Sequence, residues 1–240
     1  MKLLISAVTF DFWNTLYELP IKGSSSRQRA LKFTHLFKQT GTSVASEELH
    51  RVLEECWTYA DHCQRVEEYD ITPSGHVDYI LENLKIKASP ELRQAVYDTY
   101  TRALEDNPPI VREGVREVLP VLASSCRLAV ICNTGGTPGV ILREFMEKDG
   151  ILGYFNFLVF SDEVGWAKPN IHIFQHALTN IGCIPQQAAH IGDDPITDVM
   201  GAKRAGMKAV WLAPHATSPL PECDYHVRSV TELLNIIEDR

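Results

Sequence analysis

Short β-forming runs separated by helical segments constrain this chain more than any other feature. They are Arg127 to Ile131, Phe157 to Phe160, Ala189 to Ile191 and Lys208 to Leu212, with an earlier apolar run of Ile5, Ala7, Val8 and Phe10. Strands that alternate with helices pair in parallel through crossovers, and the helices then cover both faces of the sheet. The expected fold class is therefore α/β, a Rossmann-like doubly wound parallel sheet. Ligands of such sheets bind beyond the C-terminal ends of the strands, so the residues just after each run are the ones to inspect.

Between about Leu19 and Asn107 the strand signals disappear and helical periodicity takes over. Ala30, Leu31, Phe33, Leu36 and Phe37 fall on one side of a helix that Ser26 is placed to cap. Ser46, followed by Glu47 and Glu48, is placed to cap a second helix. Thr72-Pro73 and Ser89-Pro90 read as the starts of two more. Four helices with no strand between them are expected to pack as an all-helical insertion. The expected division is 1–18 with 108–240 for the α/β core and 19–107 for the helical unit. Gly23 with its serines and Pro108-Pro109 are the expected connections.

A length of 240 residues suits one core carrying one smaller unit, and 45% hydrophobic with 22% charged residues is ordinary for a globular protein. The net charge is −8, and no stretch gathers the Lys and Arg that a nucleic acid would require. Six cysteines are scattered without a CxxC pair, which points to reduced thiols and a cytoplasmic protein. No apolar run is long enough to span a bilayer, and no cleavage site follows the first apolar run. The expectation is no nucleic acid, no membrane, and a monomer or homodimer. The histidines show no HxxxH ligand spacing on a common helix with an acidic partner, which disfavours zinc.

Four segments at strand ends carry the chemistry. Asp11 opens the turn Phe12-Trp13-Asn14-Thr15-Leu16-Tyr17; alone, an Asp there is a turn residue. Cys132-Asn133-Thr134-Gly135-Gly136 follows the second run, where Cys132 also reads as an inert buried thiol. Ser161 to Pro169 follows the third and ends on Lys168, an ammonium able to neutralise approaching anions. The fourth, Gly192-Asp193-Asp194-Pro195-Ile196-Thr197-Asp198, packs three carboxylates after a strand. Helix capping explains part of that cluster, and a hard cation such as Mg²⁺ explains the rest. Trp57, Tyr59, His62 and Tyr69 in the insertion read either as facing a substrate or as packing a bundle core.

In their order along the chain, these four segments resemble the motifs of the haloacid dehalogenase (HAD) superfamily with a helical, C1-type cap. The resemblance covers the core and leaves the insertion unmatched. It implies that Asp11 is a nucleophile, that Lys168 neutralises charge, and that Mg²⁺ is held by Asp11, Asp193 and the backbone carbonyl of Trp13. Asp194 completes the candidate metal set, and Asp194 and Asp198 order waters and loops. Trp13, Thr15, Cys132, Asn133 and Thr134 are the implied substrate contacts. The family usually places a second aspartate, the acid and base, two residues after the nucleophile, and here that position is Trp13. Cys132 likewise replaces the family's Ser or Thr.

The implied activity is a Mg²⁺-dependent phosphatase acting on a small phosphorylated metabolite through an aspartyl-phosphate. It would be slow or selective for leaving groups that need no proton. A 2-haloacid dehalogenase and a non-catalytic phospholigand-binding protein are the alternatives.

Overall fold

The computed structural model describes residues 3–20 and 24–238. Its centre is a six-stranded sheet in the order β6-β5-β2-β7-β8-β9, parallel throughout. These strands are β2 (Ala7–Phe10), β5 (Arg127–Cys132), β6 (Phe157–Phe160), β7 (Ala188–Gly192), β8 (Lys208–Leu212) and β9 (Tyr225–Val227). All the strands read from the sequence are present, and the edge strand β9 is additional. Two small pairs complete the strand set among the described residues: β1 (Leu3–Leu4) with β10 (Ile237–Glu238), and β3 (Tyr17–Glu18) with β4 (Ile110–Val111).

Side chains alternate across the sheet with period two, and the two faces differ in bulk. Val8, Phe10, Leu128, Val130, Ile191 and Val210 pack on one side with α5 (Val115–Ala123) and α6 (Gly139–Lys148). Ala7, Ala129, Ala188 and Ala209 line the other side, where small side chains let α8 (Ile171–Asn180) approach with Ile173, Phe174, Ala177 and Leu178. Each fully buried Phe, Ile or Leu contributes about 1.5–3 kcal/mol of transfer free energy, and both faces are continuous with such residues. This matches the near-unbroken apolar character expected of parallel strands.

The insertion forms α1 (Ser24–Gln39), α2 (Ser46–Arg65), α3 (Thr72–Asn83) and α4 (Pro90–Thr101). They share a separate apolar cluster of Phe33, Phe37, Leu49, Val52, Leu53, Val77, Ile80, Val96 and Tyr100. Phe33 stacks on both Phe37 and Tyr100. Ser89 caps α4 by accepting from the Leu92 amide at 3.2 Å, as its spacing suggested. Ser26 instead lies inside α1, and Ser46 lies within α2 behind the N-cap Ala45, which makes no side-chain cap bond. Gly23 lies outside the described residues. No helix among them is long and apolar enough to cross a membrane.

The antiparallel β3-β4 pair, with Tyr17 opposite Val111, forms the stem through which the insertion leaves and rejoins the core. Beyond it, the insertion rests on the core loops. The Asp70 amide donates to the Gly165 carbonyl and the Ala167 amide to the Glu68 carbonyl, while Arg204 pairs with Glu68.

Candidate active site

The register brings the strand ends together. Phe10 lies opposite Val130 on one side and Ile191 on the other, and Cys132 lies opposite Phe160. Asp11, Asn133, Ser161 and Asp193 therefore follow neighbouring strands along one edge of the sheet. Above them is a cavity of about 300 Å³ whose walls include Asp11, Trp13, Asn133, Thr134, Lys168, Asp193, Asp194 and Asp198 from the core. Arg29, Trp57, Gln64 and Arg65 line it from the insertion.

At its base the buried Lys168 Nζ donates to Asp11 Oδ1 at 2.6 Å and to Asp198 Oδ1 at 2.6 Å. Asn133 holds the Lys168 backbone from both sides: its Nδ2 donates to the Lys168 carbonyl at 2.9 Å, and its Oδ1 accepts the Lys168 amide at 2.7 Å. A cis peptide joins Lys168 to Pro169. Burial lowers the basicity of the ammonium, but Asp11 and Asp198 outweigh this and hold it protonated. Burial raises the Asp11 pKa well above the usual carboxylate range; Lys168 opposes that shift, and Asp198 and Asp193 add to it.

Asp198 is held on three sides. Besides Lys168, His190 Nε2 lies 3.2 Å from its Oδ1, and its Oδ2 accepts the Asp194 amide at 2.9 Å. Thr9 Oγ1 lies 2.8 Å from His190 Nδ1. Burial depresses the His190 pKa, so the ring is neutral, and the consistent tautomer has Nε2–H donating to Asp198. Burial alone would raise the Asp198 pKa, yet Lys168 and His190 outweigh it and keep the carboxyl below its ordinary range. One carboxylate oxygen each from Asp11, Asp193 and Asp198 lies within 4.8 Å of the others.

This close approach depends on Gly192. A Cβ there would lie 2.2 Å from Asp198 Cγ and Oδ2, far inside contact distance. Gly192→Ala is therefore expected to push Asp198 off Lys168 and to cost about 2 kcal/mol as an overpacked site. Denaturant unfolding should register the loss. A midpoint equal to that of the wild type would show that Asp198 does not need the space.

The remaining candidates divide by position. Trp13 packs edge-on against Phe12 and lines the cavity beside Asp11. Thr134 also lines it, with its hydroxyl 3.2 Å from Ser161 Oγ and donating to Asp70 Oδ2 at 3.4 Å. Cys132 does not reach the cavity. It continues the inward-facing set of Leu128 and Val130, and burial pushes its thiol pKa well up. Thr15 is fully buried outside the cavity wall, and its hydroxyl has no partner among the described residues.

Asp194 is also engaged elsewhere. Its carboxylate takes a bidentate pair from Arg65 of α2 at 3.1 and 2.6 Å and caps the amides of Ile196 and Thr197. Those contacts outweigh burial and lower its pKa. Asp198, one helical turn later, stands in the carboxylate trio where the sequence suggested Asp194.

Several contributors were not marked by the sequence motifs. Arg29 sits on the cavity wall. Asp70, buried in the insertion, accepts from Gln64 Nε2 and the Thr72 amide within it and from Ser161 Oγ and Thr134 Oγ1 of the core, and so ties the insertion to two core loops. Of the four insertion aromatics, Trp57 lines the cavity while half-exposed, and a Cβ on Gly135 would lie 3.1 Å from its ring. Tyr59 stacks on Tyr79 at the surface, His62 is exposed beside Glu67, and Tyr69 bridges to Trp166. None of these four packs the bundle core.

Known proteins are similar to this chain in fold and sequence. A family model described as haloacid dehalogenase-like hydrolase matches residues 30–212. A glyceraldehyde 3-phosphate phosphatase of Methanopyrus kandleri is 26% identical over 98% of each chain. A protein of the same name from Pyrococcus furiosus is 30% identical over 75% of each. The crystal structure of a 2-haloacid dehalogenase from Pseudomonas syringae pv. Tomato DC3000 superposes with a TM-score of 0.74 at 21% identity, covering 97% of this chain and 98% of that one. The match of the family model over most of its length places this chain in the family of haloacid dehalogenase-like hydrolases.

Proposed function

We propose that the protein is a Mg²⁺-dependent phosphatase of small phosphate esters in which Asp11 is the nucleophile. The observation that carries this reading is the Lys168 ammonium, 2.6 Å from both Asp11 and Asp198, with Asp193 completing the carboxylate trio. Relatives named glyceraldehyde 3-phosphate phosphatase support the phosphate-ester chemistry.

The donor set fits the metal. Three carboxyl groups face one ammonium, and burial together with the negative charge of their neighbours raises the pKa of Asp11 and of Asp193, a strain that a divalent cation would relieve. Oxygen donors alone suit Mg²⁺, which keeps several waters. Asp11, Asp193 and the Trp13 carbonyl would hold it, with Asp198 positioned alongside by Lys168 and His190. When bound, the ion polarises the phosphoryl oxygens and offsets their charge.

The chain's own residues do the rest. Lys168 engages Asp11 Oδ1 and leaves Oδ2 to attack phosphorus. The bond from phosphorus to the ester oxygen breaks, and its electron pair departs with that oxygen. Water then attacks the phosphorus of the aspartyl-phosphate, releasing phosphate and restoring Asp11. Residues 19–107 act as a cap over the core formed by 1–18 and 108–240, and Arg65 with Asp194 latches the two while water is limited.

Trp13 has no proton to give, so the leaving oxygen is protonated by water. A positioned acid is worth about 10²–10⁴ in rate. Trp13→Asp is expected to raise hydrolysis of an alkyl phosphate by about 10²-fold and that of an aryl phosphate much less. Steady-state assay of both esters with Mg²⁺ tests this, and no gain on the alkyl ester would contradict the missing-acid account. The trio of carboxylates also favours this chemistry over metal-free displacement of halide at carbon.

A further inference from the structure

The walls of the cavity carry three cations, Arg29, Arg65 and Lys168, and their partners differ. Lys168 lies between Asp11 and Asp198. Arg65 lies between Asp61 and Asp194. Arg29 has no carboxylate partner among the described residues, although it is 5% exposed.

Its contacts are neutral. Nε donates to the Tyr100 carbonyl at 3.1 Å, Nη2 donates to Thr137 Oγ1 at 3.0 Å, and the guanidinium carbon lies 4.7 Å from the Tyr100 ring centroid. Nη1 makes no hydrogen bond among the described residues. These contacts fix the plane of the guanidinium without neutralising it. A buried, unpaired charge is expensive to keep, and this one sits on the wall of the cavity that holds Asp11.

We propose that Arg29 binds a second anionic group of the substrate, so that the enzyme selects small phosphate esters carrying a carboxylate or a second phosphoryl group. The inference rests on the phosphatase reading above and adds the other end of the substrate to it. A guanidinium forms paired hydrogen bonds with either oxyanion. At about 300 Å³ the cavity lies at the lower end of the range for ligand sites, which suits a short carbon skeleton between the two anions. Trp57 and Leu104, also on the wall, would cover such a skeleton.

The experiment compares ethyl phosphate, phosphoglycolate and ethylene glycol bisphosphate, assayed with Mg²⁺ on wild type, Arg29→Met and Arg29→Lys. Wild type is expected to favour at least one anionic-tailed ester over ethyl phosphate by about tenfold or more in kcat/KM, as for a charged hydrogen bond. The arm that wins identifies the anion. Arg29→Met should bring that ratio near unity, chiefly through KM, and Arg29→Lys should retain part of it. Wild-type turnover without discrimination overturns the inference alone and needs no variant. A preference that survives in folded Arg29→Met does the same. Failure to release phosphate from any of the three overturns the phosphatase reading and this inference with it.

Discussion

Lys168→Met is expected to lower phosphate release by about 10²–10³-fold and to destabilise the fold by about 3–5 kcal/mol. The stem of methionine fills similar space, so the loss would be electrical: Asp11 and Asp198 would remain buried with no ammonium between them. The pH dependence gives the sign. In the wild type, Asp198 is held below its ordinary pKa, so its contribution is present above the unfolded value and is lost as pH falls through the folded one. In the variant, burial without the ammonium would raise Asp198 as well, and would push Asp11, already raised in the wild type, higher still. Their folded pKa values would then exceed the unfolded ones, and stability would increase as pH falls into the carboxylate range. Denaturant melts at neutral and acid pH should show the gap between the two proteins widest at neutral pH. A constant gap would mean that Lys168 is not the counter-charge for this pair.

The sheet was legible in the sequence because its strands are short apolar runs that end on polar turns. Edge strand β9 gave no such signal: only Val227 of its three residues is buried, Tyr225 and His226 are partly exposed, and the strand follows a segment rich in Pro and acidic residues. The helical insertion was legible from periodicity, but two of its expected caps were not where the serines suggested. α1 begins before Ser26, and Ala45, lacking a side-chain acceptor, serves as the N-cap of α2.

Asp11, Lys168 and Asp193 were marked by their place after strands, and the structure brings them to one cavity. Which further aspartate joins them depended on tertiary contacts. Asp194 is drawn to Arg65, 129 positions earlier in the chain, and Asp198 returns over the bare Gly192 backbone. Cys132 could have been excluded from the cavity by alternation alone, since it falls in phase with Leu128 and Val130. Arg29 could not have been found, because an arginine between Gln28 and Ala30 on a helix reads as a solvated face. Only packing against Tyr100 and Thr137 sets it apart.

Asp11→Asn should abolish phosphate release, by about 10⁴-fold or more, because an amide cannot accept the phosphoryl group. The same substitution separates an enzyme from a protein that merely binds phosphorylated ligands, since a binder would show no release to lose. The atom itself can be followed. The wild type is mixed with an aryl phosphate and Mg²⁺, quenched in acid during turnover and reduced with borohydride, and its peptides are read by mass spectrometry. Conversion of Asp11 to homoserine is the predicted result, since only an acyl-phosphate carboxyl is reduced. Phosphate released while Asp11 stays an aspartate, or reduction at a different carboxyl, would contradict the claim that Asp11 carries the phosphoryl group.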